Sequence, residues 1–186
     1  FLHGHIMGGF RGRFDLDAPF RGTTEGRLEI EDLSIPPLKG LKTHILRASV
    51  FGEGQRLDVQ RLDFTVDDST YRLSGTVTPQ KDAFDLDMAL SAEKIDLNRL
   101  QEAFATGPEA QEEEPKRFFL PITGILAIDA EKILFDRYRL DEVSGKAVFY
   151  ADRLEVEFQN ATLCGIAVPA AVRYASGSLA LEVRPA

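Results

Sequence analysis

This chain has one cysteine and no tryptophan, and its basic residues are outnumbered by acidic ones. Its single cysteine among 186 residues excludes an intrachain disulfide, which fits either a reducing compartment or a protein large enough to fold without cross-links. With 22 basic and 30 acidic residues, the formal net charge is −8. Nucleic acid is therefore a disfavoured partner, because its phosphates require a basic surface. The chain also has no apolar run near the ~20 residues of a membrane-spanning helix.

Side chains that commonly perform catalysis or bind metals form no recognisable motif. His3 and His5 have a spacing that two metal ligands can use, but no third ligand lies near them in the sequence. Asp85 and Asp87 are spaced like neighbours on the outward face of a strand. Cys164 lies in an apolar strand pattern without a histidine in register, so it is a poor candidate nucleophile. We therefore predict that the chain is not an enzyme and has no cofactor and no metal site.

Repetition is the strongest signal in the sequence. Five segments begin with a similar triplet, in which a polar or small residue stands between two apolar residues. They are Leu28-Glu29-Ile30, Leu57-Asp58-Val59, Leu86-Asp87-Met88, Leu126-Ala127-Ile128 and Leu154-Glu155-Val156. Their first leucines are separated by 29, 29, 40 and 28 residues. Alternation with period two is typical of a strand with one apolar face, and a recurring period of this length predicts an extended array of packed units.

In the repeats the apolar phase shifts by one residue partway along. In the first repeat Leu28 and Ile30 are followed by Leu33, and in the fourth Ala130 is followed by Ile133. A strand keeps one apolar face through such a shift only if it absorbs an extra residue. A β-bulge does this and bends the strand, so bulges at one level would fold the sheet into a trough. The alternative is a tight turn at each shift, which would give twice as many short strands.

One long insertion interrupts the repeats and defines the domain organisation. The residues from Asn98 to Phe104 have helical composition, with Leu100 and Phe104 on one face. Residues 107–117 combine glutamate with glycine and proline, which predicts a flexible linker. The predicted segments are a first antiparallel β-groove segment at 1–97, a short helix and acidic flexible linker at 98–119, and a second β-groove segment at 120–186 that is continuous with the first.

In Phe84–Leu100 the triplet Ile95-Asp96-Leu97 leads from a strand pattern into a short helix and an acidic spacer. This passage resembles the AsmA-like family of Gram-negative bacteria, which includes TamB-like and YhdP-like proteins, and the resemblance covers most of residues 14–184. The restart at Pro121–Ile133 and the segment from Gly145 to Val156 also resemble that family. The resemblance implies a periplasmic protein, tethered to the inner membrane by a segment not present here, that moves phospholipid towards the outer membrane.

Periodicity and resemblance together predict a mainly β fold, a curved antiparallel sheet of repeated hairpins that forms an apolar, β-taco-like groove with one short helix. The expected partner is phospholipid or another acyl-chain lipid, with further envelope proteins as possible partners. An alternative is a structural or protein-interaction module with a β-sandwich or jelly-roll fold. The residues predicted to line the groove and contact lipid are Leu28, Ile30, Leu57, Val59, Leu86, Met88, Leu90, Leu126, Ile128, Leu154, Val156 and Phe158.

Overall fold

Twelve strands and one helix account for most of the described chain. The structure is a computed structural model, and it describes residues 3–13, 22–38, 40–80, 82–105, 121–175 and 178–183. The predicted flexible linker at 107–117 lies outside these residues. The strands are β1 (His3–Arg13), β2 (Thr23–Leu38), β3 (Leu41–Gly54), β4 (Arg56–Val66), β5 (Ser69–Pro79), β6 (Phe84–Asp96), β7 (Ile122–Phe135), β8 (Tyr138–Phe149), β9 (Arg153–Leu163), β10 (Ile166–Ala167), β11 (Ala170–Ala175) and β12 (Ser178–Val183). The helix α1 spans Leu97–Ala105, between β6 and β7.

All twelve strands belong to one curved, open sheet, which confirms the predicted fold class. Eleven strands follow one another in chain order along the sheet, and β10 pairs with the end of β9 beside β11. Most neighbouring strands form antiparallel hairpins, and short turns join the strands from β2 to β6 and from β7 to β9.

One pair departs from the predicted antiparallel arrangement. Strands β6 and β7 are parallel, with Phe84 opposite Ile122 and Ile95 opposite Ile133. A parallel pair needs a crossover that returns the chain to the end where the first strand began. The insertion that contains α1 is this crossover. It joins the strands of the two predicted segments in one sheet, and sequence alternation alone carries no signal of the changed direction.

The strands continue through the phase shifts, so the interpretation as tight turns is wrong. In β2 the shift falls at Asp32, whose φ is 56°. In β4 the register with β5 changes between Val59 and Leu62. Strand β5 has no shift: Tyr71, Leu73, Gly75 and Val77 keep one phase, and their partners in β6 follow one register throughout.

The sequence suggested that the bulges lie at a single level of the sheet, but the structure places them at several levels. The shifts in β2 and β3 lie at one level of the sheet. The shift in β4 lies one cross-strand pair to one side of that level. In β6 and β7 it falls between Ala92 and Ile95 and between Ala130 and Ile133, one pair away on the other side. The bend therefore extends over several neighbouring levels of the sheet.

Candidate functional site

The apolar face of the sheet consists of rows of residues that oppose one another from strand to strand. The first row runs Ile6, Ile30, Ala48, Leu62, Leu73, Leu90, Ile128, Gly145, Phe158, Ala170, Val183. The second row runs Gly8, Leu28, Val50, Val59, Gly75, Met88, Leu126, Ala147, Val156, Val172, Leu181. The third row runs Phe10, Gly26, Gly52, Leu57, Val77, Leu86, Gly124, Phe149, Leu154, Tyr174, Leu179. Each row crosses all eleven strands of the path, and none contains a charged residue.

All twelve predicted groove residues lie in these three rows. Four are in the first row (Ile30, Leu90, Ile128, Phe158), five in the second (Leu28, Val59, Met88, Leu126, Val156) and three in the third (Leu57, Leu86, Leu154). Val59 and Met88 are buried, and the other ten are partly exposed. The structure thus brings the predicted residues together on one face.

A fourth row beside the first is much more closed. It runs Leu33, Ile45, Phe64, Tyr71, Ala92, Ala130, Val143. Its last four members belong to the buried cluster of the molecule, which is formed by Tyr71, Ala92, Ile95, Ala130, Ile133, Val143 and Ala161. Val143 is only 1% exposed and Ala130 2%. Smaller side chains lie beside the bulges in β6 to β9, where Ala92, Ala130, Val143 and Ala161 let neighbouring parts of the sheet pack closely.

The third row is more open than the buried cluster. Leu90, Ile128 and Phe158 of the first row pack against the cluster. In the third row none of the larger described side chains is buried, and Phe10 is 37% exposed. Within the described ranges no second sheet covers this face, because every strand belongs to the same sheet. The three rows therefore form an apolar surface about 48 Å long, given ten strand spacings of about 4.8 Å.

The opposite face of the sheet is polar and is crossed by ion pairs. Directly opposed residues on neighbouring strands form several of them, including Arg47 with Glu31 at 3.3 Å and Lys146 with Glu157 at 3.0 Å. Three large apolar side chains, Met7, Phe51 and Ile125, are exposed on this face, but they are scattered singly, as is common on protein surfaces. The two faces of the sheet therefore differ sharply in polarity.

Asp63 is the most enclosed charge on the polar face. It is 8% exposed, and its carboxylate accepts hydrogen bonds from Arg61 Nε at 2.6 Å and Arg72 Nε at 2.9 Å. Burial raises the pKa of Asp63, but the hydrogen bonds and charges of the two arginines outweigh it, so the pKa lies below its ordinary value. The role of this group is structural, since it links β4 to β5 away from the apolar face.

Helix α1 forms hydrogen bonds with three turns at one end of the sheet. Its first turn is capped by Asp96, whose Oδ1 accepts a hydrogen bond from the Arg99 amide at 3.0 Å. Arg99 Nε donates to Asp67 in the β4–β5 turn at 3.1 Å, and Arg99 also reaches the Gly40 carbonyl in the β2–β3 turn. Asn98 exchanges two hydrogen bonds with the backbone of Asp136 in the β7–β8 turn.

These contacts place α1 against the closed part of the sheet. Leu100 packs against the buried cluster. The pKa of Asp67 lies below its ordinary value because the Lys42 amide and then Arg99 donate hydrogen bonds to its carboxylate. The helix thus supports the end of the sheet beyond the fourth row, and none of its contacts among the described residues involves the third row.

The sequence prediction named twelve of the 33 members of the three rows and missed the other 21. Val50, Val77, Ala147 and Val172 lie on strands between the repeats and complete the rows. Those strands were predicted from their own alternation, but the repeated triplet does not occur in them. Knowing which residues oppose one another requires the register, and the register follows from turns and bulges.

Chemical groups for catalysis or metal binding do not gather on the apolar face. Among the described residues no cluster of three or more histidine, cysteine or acidic side chains could hold a metal ion. The described part of the chain also has no helix with the length and apolar character needed to cross a membrane. Comparisons with protein-family models, curated proteins and solved structures find no match.

Proposed function

We propose that this chain is a non-enzymatic segment of a bacterial envelope protein, which binds phospholipid acyl chains on its apolar face and conducts them between the inner and outer membranes. The single observation that carries the proposal is the set of three apolar rows that cross eleven strands without a charged residue. An acyl chain needs a dry, continuous surface and no covalent chemistry.

The dimensions of the face suit this ligand. Half of a bilayer core of ~30 Å is ~15 Å, so one acyl chain along the rows would contact roughly three strands. Apolar burial yields about 25 cal/mol per Å² and is non-directional. A lipid would consequently gain similar free energy at successive positions along the surface, which favours movement over fixed binding.

The location of the protein is a proposal of the same kind. The resemblance to the AsmA-like family supports the periplasm, with the chain tethered to the inner membrane through a segment outside this sequence and with envelope proteins as further partners. The polar opposite face, with ion pairs such as Arg47–Glu31, is suited to contact with water while the apolar rows hold lipid.

Adjacent residues on β7 allow a matched test. Leu126 lies in the second row, whereas the next residue, Ala127, is exposed on the polar face opposite Lys146. We expect Leu126→Asp to reduce the lipid that copurifies with the protein several-fold, because an ionised group resists burial beside an acyl chain. Ala127→Asp carries the same charge and should retain the lipid. The measurement is mass spectrometry of organic extracts, quantified per mole of folded protein.

Two outcomes would contradict the proposal. Equal lipid in both variants would show that the second row is not the binding surface. Lack of lipid in the unmodified protein, even after incubation with phospholipid vesicles, would favour the alternative of a structural or protein-interaction module. Circular dichroism of both variants must show the strand content of the unmodified protein before lipid is compared.

A further inference from the structure

The middle of the apolar face is partly filled by its own side chains. In the second row Val59 is 8% exposed, Met88 7% and Ala147 4%, on strands β4, β6 and β8. On β6 itself the first-row and third-row neighbours of Met88, which are Leu90 and Leu86, are both partly exposed. Between β4 and β8 the second row is therefore the most enclosed of the three rows.

The burial of Met88 changes what an acyl chain gains at this position. The hydrophobic free energy of binding is proportional to the apolar area that leaves water. Leu126, the neighbour of Met88 on β7, still offers such area, whereas Met88 has already lost nearly all contact with water. A chain that lies over Met88 consequently gains less from it than from Leu126, unless the methionine moves.

Met88 differs from the other buried residues of the second row in flexibility. Its side chain is unbranched and has three rotatable bonds. Val59 is branched at Cβ and therefore stiff, and Ala147 has only a methyl group. Met88 is thus the one of these three residues that can change shape when a ligand arrives.

The strand beside Met88 leaves room for this movement. Its partner on β5 is Gly75, whose φ is 132°. A Cβ atom at Gly75 would lie 2.2 Å from the Asp87 carbonyl oxygen and 2.7 Å from Met88 Cα, so the close approach of β5 and β6 excludes a side chain there. In the second row no side chain separates Met88 from Val59, which lies two strand spacings or about 9.6 Å away.

Met88 also lies where two parts of the sheet meet. Strand β6 is the last strand of the first predicted segment, and its parallel neighbour β7 is the first strand of the second. Met88 and Leu126 oppose each other in this pair. Because the rows continue across the pair, an acyl chain that moves along them from one segment to the other must pass Met88.

We propose that Met88 controls the passage of acyl chains between the two segments of the apolar face. Its side chain changes rotamer when an acyl chain lies over β6 and β7, and this step is the slowest in movement along the rows. The inference rests on the proposed function, since it requires phospholipid to bind the apolar face.

The two methionines of the chain supply a reporter and a control. Met88 lies in the second row, whereas Met7 is 48% exposed on the polar face. The chain carries isotope-labelled methionine methyl groups and is incubated with palmitoyl-oleoyl phosphatidylglycerol vesicles, which are then removed. In its NMR spectrum we expect the Met88 methyl signal to shift or broaden and the Met7 signal to stay in place. The Met7→Leu variant assigns the two signals.

Mass spectrometry of the same sample separates the two ways in which this experiment can fail. An unchanged Met88 signal with phospholipid bound would overturn the inference and leave the proposed function standing. A chain that binds no phospholipid would overturn both.

A second experiment measures passage between the segments. Leu57→Met on β4 and Leu154→Met on β9 place reporter methyl groups on either side of β6 and β7 with nearly the same side-chain volume. With one bound phospholipid per chain, movement between the two positions makes both signals exchange, and NMR relaxation dispersion gives the rate. A rate that does not depend on protein concentration identifies movement within one molecule. In this background Met88→Ala should raise the rate several-fold, and the stiffer Met88→Leu should lower it several-fold.

A variant of the same strand provides the matched control. Leu86→Ala removes a partly exposed side chain of the third row and should weaken lipid binding without raising the exchange rate. A rise as large as that of Met88→Ala would overturn the inference, as would equal rates with methionine, alanine and leucine at position 88. If circular dichroism shows that Met88→Ala does not fold, Met88→Leu decides alone, and an unchanged rate overturns the inference.

Discussion

The buried cluster and the third row are built from the same kind of strand, yet they end in different environments. In the cluster, Val143 and Ala130 are almost fully enclosed. In the third row, Leu57, Leu86 and Leu154 are each partly exposed. Both sets alternate with polar residues along their strands. The comparison shows that alternation determines which face a residue joins, whereas bulges and the helix determine whether that face is closed.

The largest expected effect is a difference in the free energy of unfolding between a variant of the buried cluster and a variant of the third row. Val143→Asp should lower the free energy of unfolding by more than about 3 kcal/mol or prevent folding, because a carboxylate there has neither water nor a partner. Leu154→Asp in the third row should cost about 1–2 kcal/mol, since the carboxylate can remain hydrated. Urea denaturation followed by circular dichroism measures both. Equal losses would mean that the third row is as closed as the cluster.

A glycine substitution tests whether β6 and β7 must lie close together at the third row. Gly124 has a φ of 107°, and a Cβ atom there would lie 2.0 Å from the Leu86 carbonyl oxygen. Gly124→Ala should therefore cost about 1–3 kcal/mol through strain, although the residue belongs to the more open region. Gly9→Ala is the control, because no atom lies within 4 Å of its Cβ position. A neutral Gly124→Ala would indicate that β6 and β7 separate easily at this level.

The stability that Asp67 contributes through its contact with Arg99 of α1 should depend on pH. The pKa of Asp67 lies below its ordinary value of 3.8, so its stabilising contribution is complete above that pH and is lost as the pH falls through the lower folded-state value. Asp67→Asn should lower the thermal midpoint by a few degrees at neutral pH, and the difference from the unmodified protein should shrink below pH 3.8. A difference that stays constant with pH would exclude Asp67 as the titrating group.

The smallest expected effect lies on the polar face. Lys146 and Glu157 are 3.0 Å apart, and both side chains are more than 40% exposed. Glu157→Gln should change the free energy of unfolding by less than about 0.5 kcal/mol, and added salt should reduce even that difference. A loss above 1 kcal/mol, measured by urea denaturation at low and high salt, would show that the polar face contributes more to stability than exposed ion pairs normally do.

The strand content, the helix at the insertion and the placement of the twelve predicted residues on one face could all be predicted from the sequence. The physical reason is that a period of two assigns each side chain to a face before any partner is known. The phase shifts also indicated bulges, because Val59 to Leu62 and Phe158 to Ala161 cannot remain on one face in a regular strand. These inferences need only local spacing.

Register, strand direction and the closure of the apolar face were decided by tertiary structure. Nothing local in the sequence distinguishes Ala130, which is buried, from Ile128, which is partly exposed on the same face, because their closure depends on packing against other strands. The parallel pairing of β6 with β7 depends on where the crossover returns the chain, and that choice sets the direction of every later strand. Side-chain periodicity is a property of one strand, whereas register, direction and closure depend on free energies of contact between residues far apart in the chain.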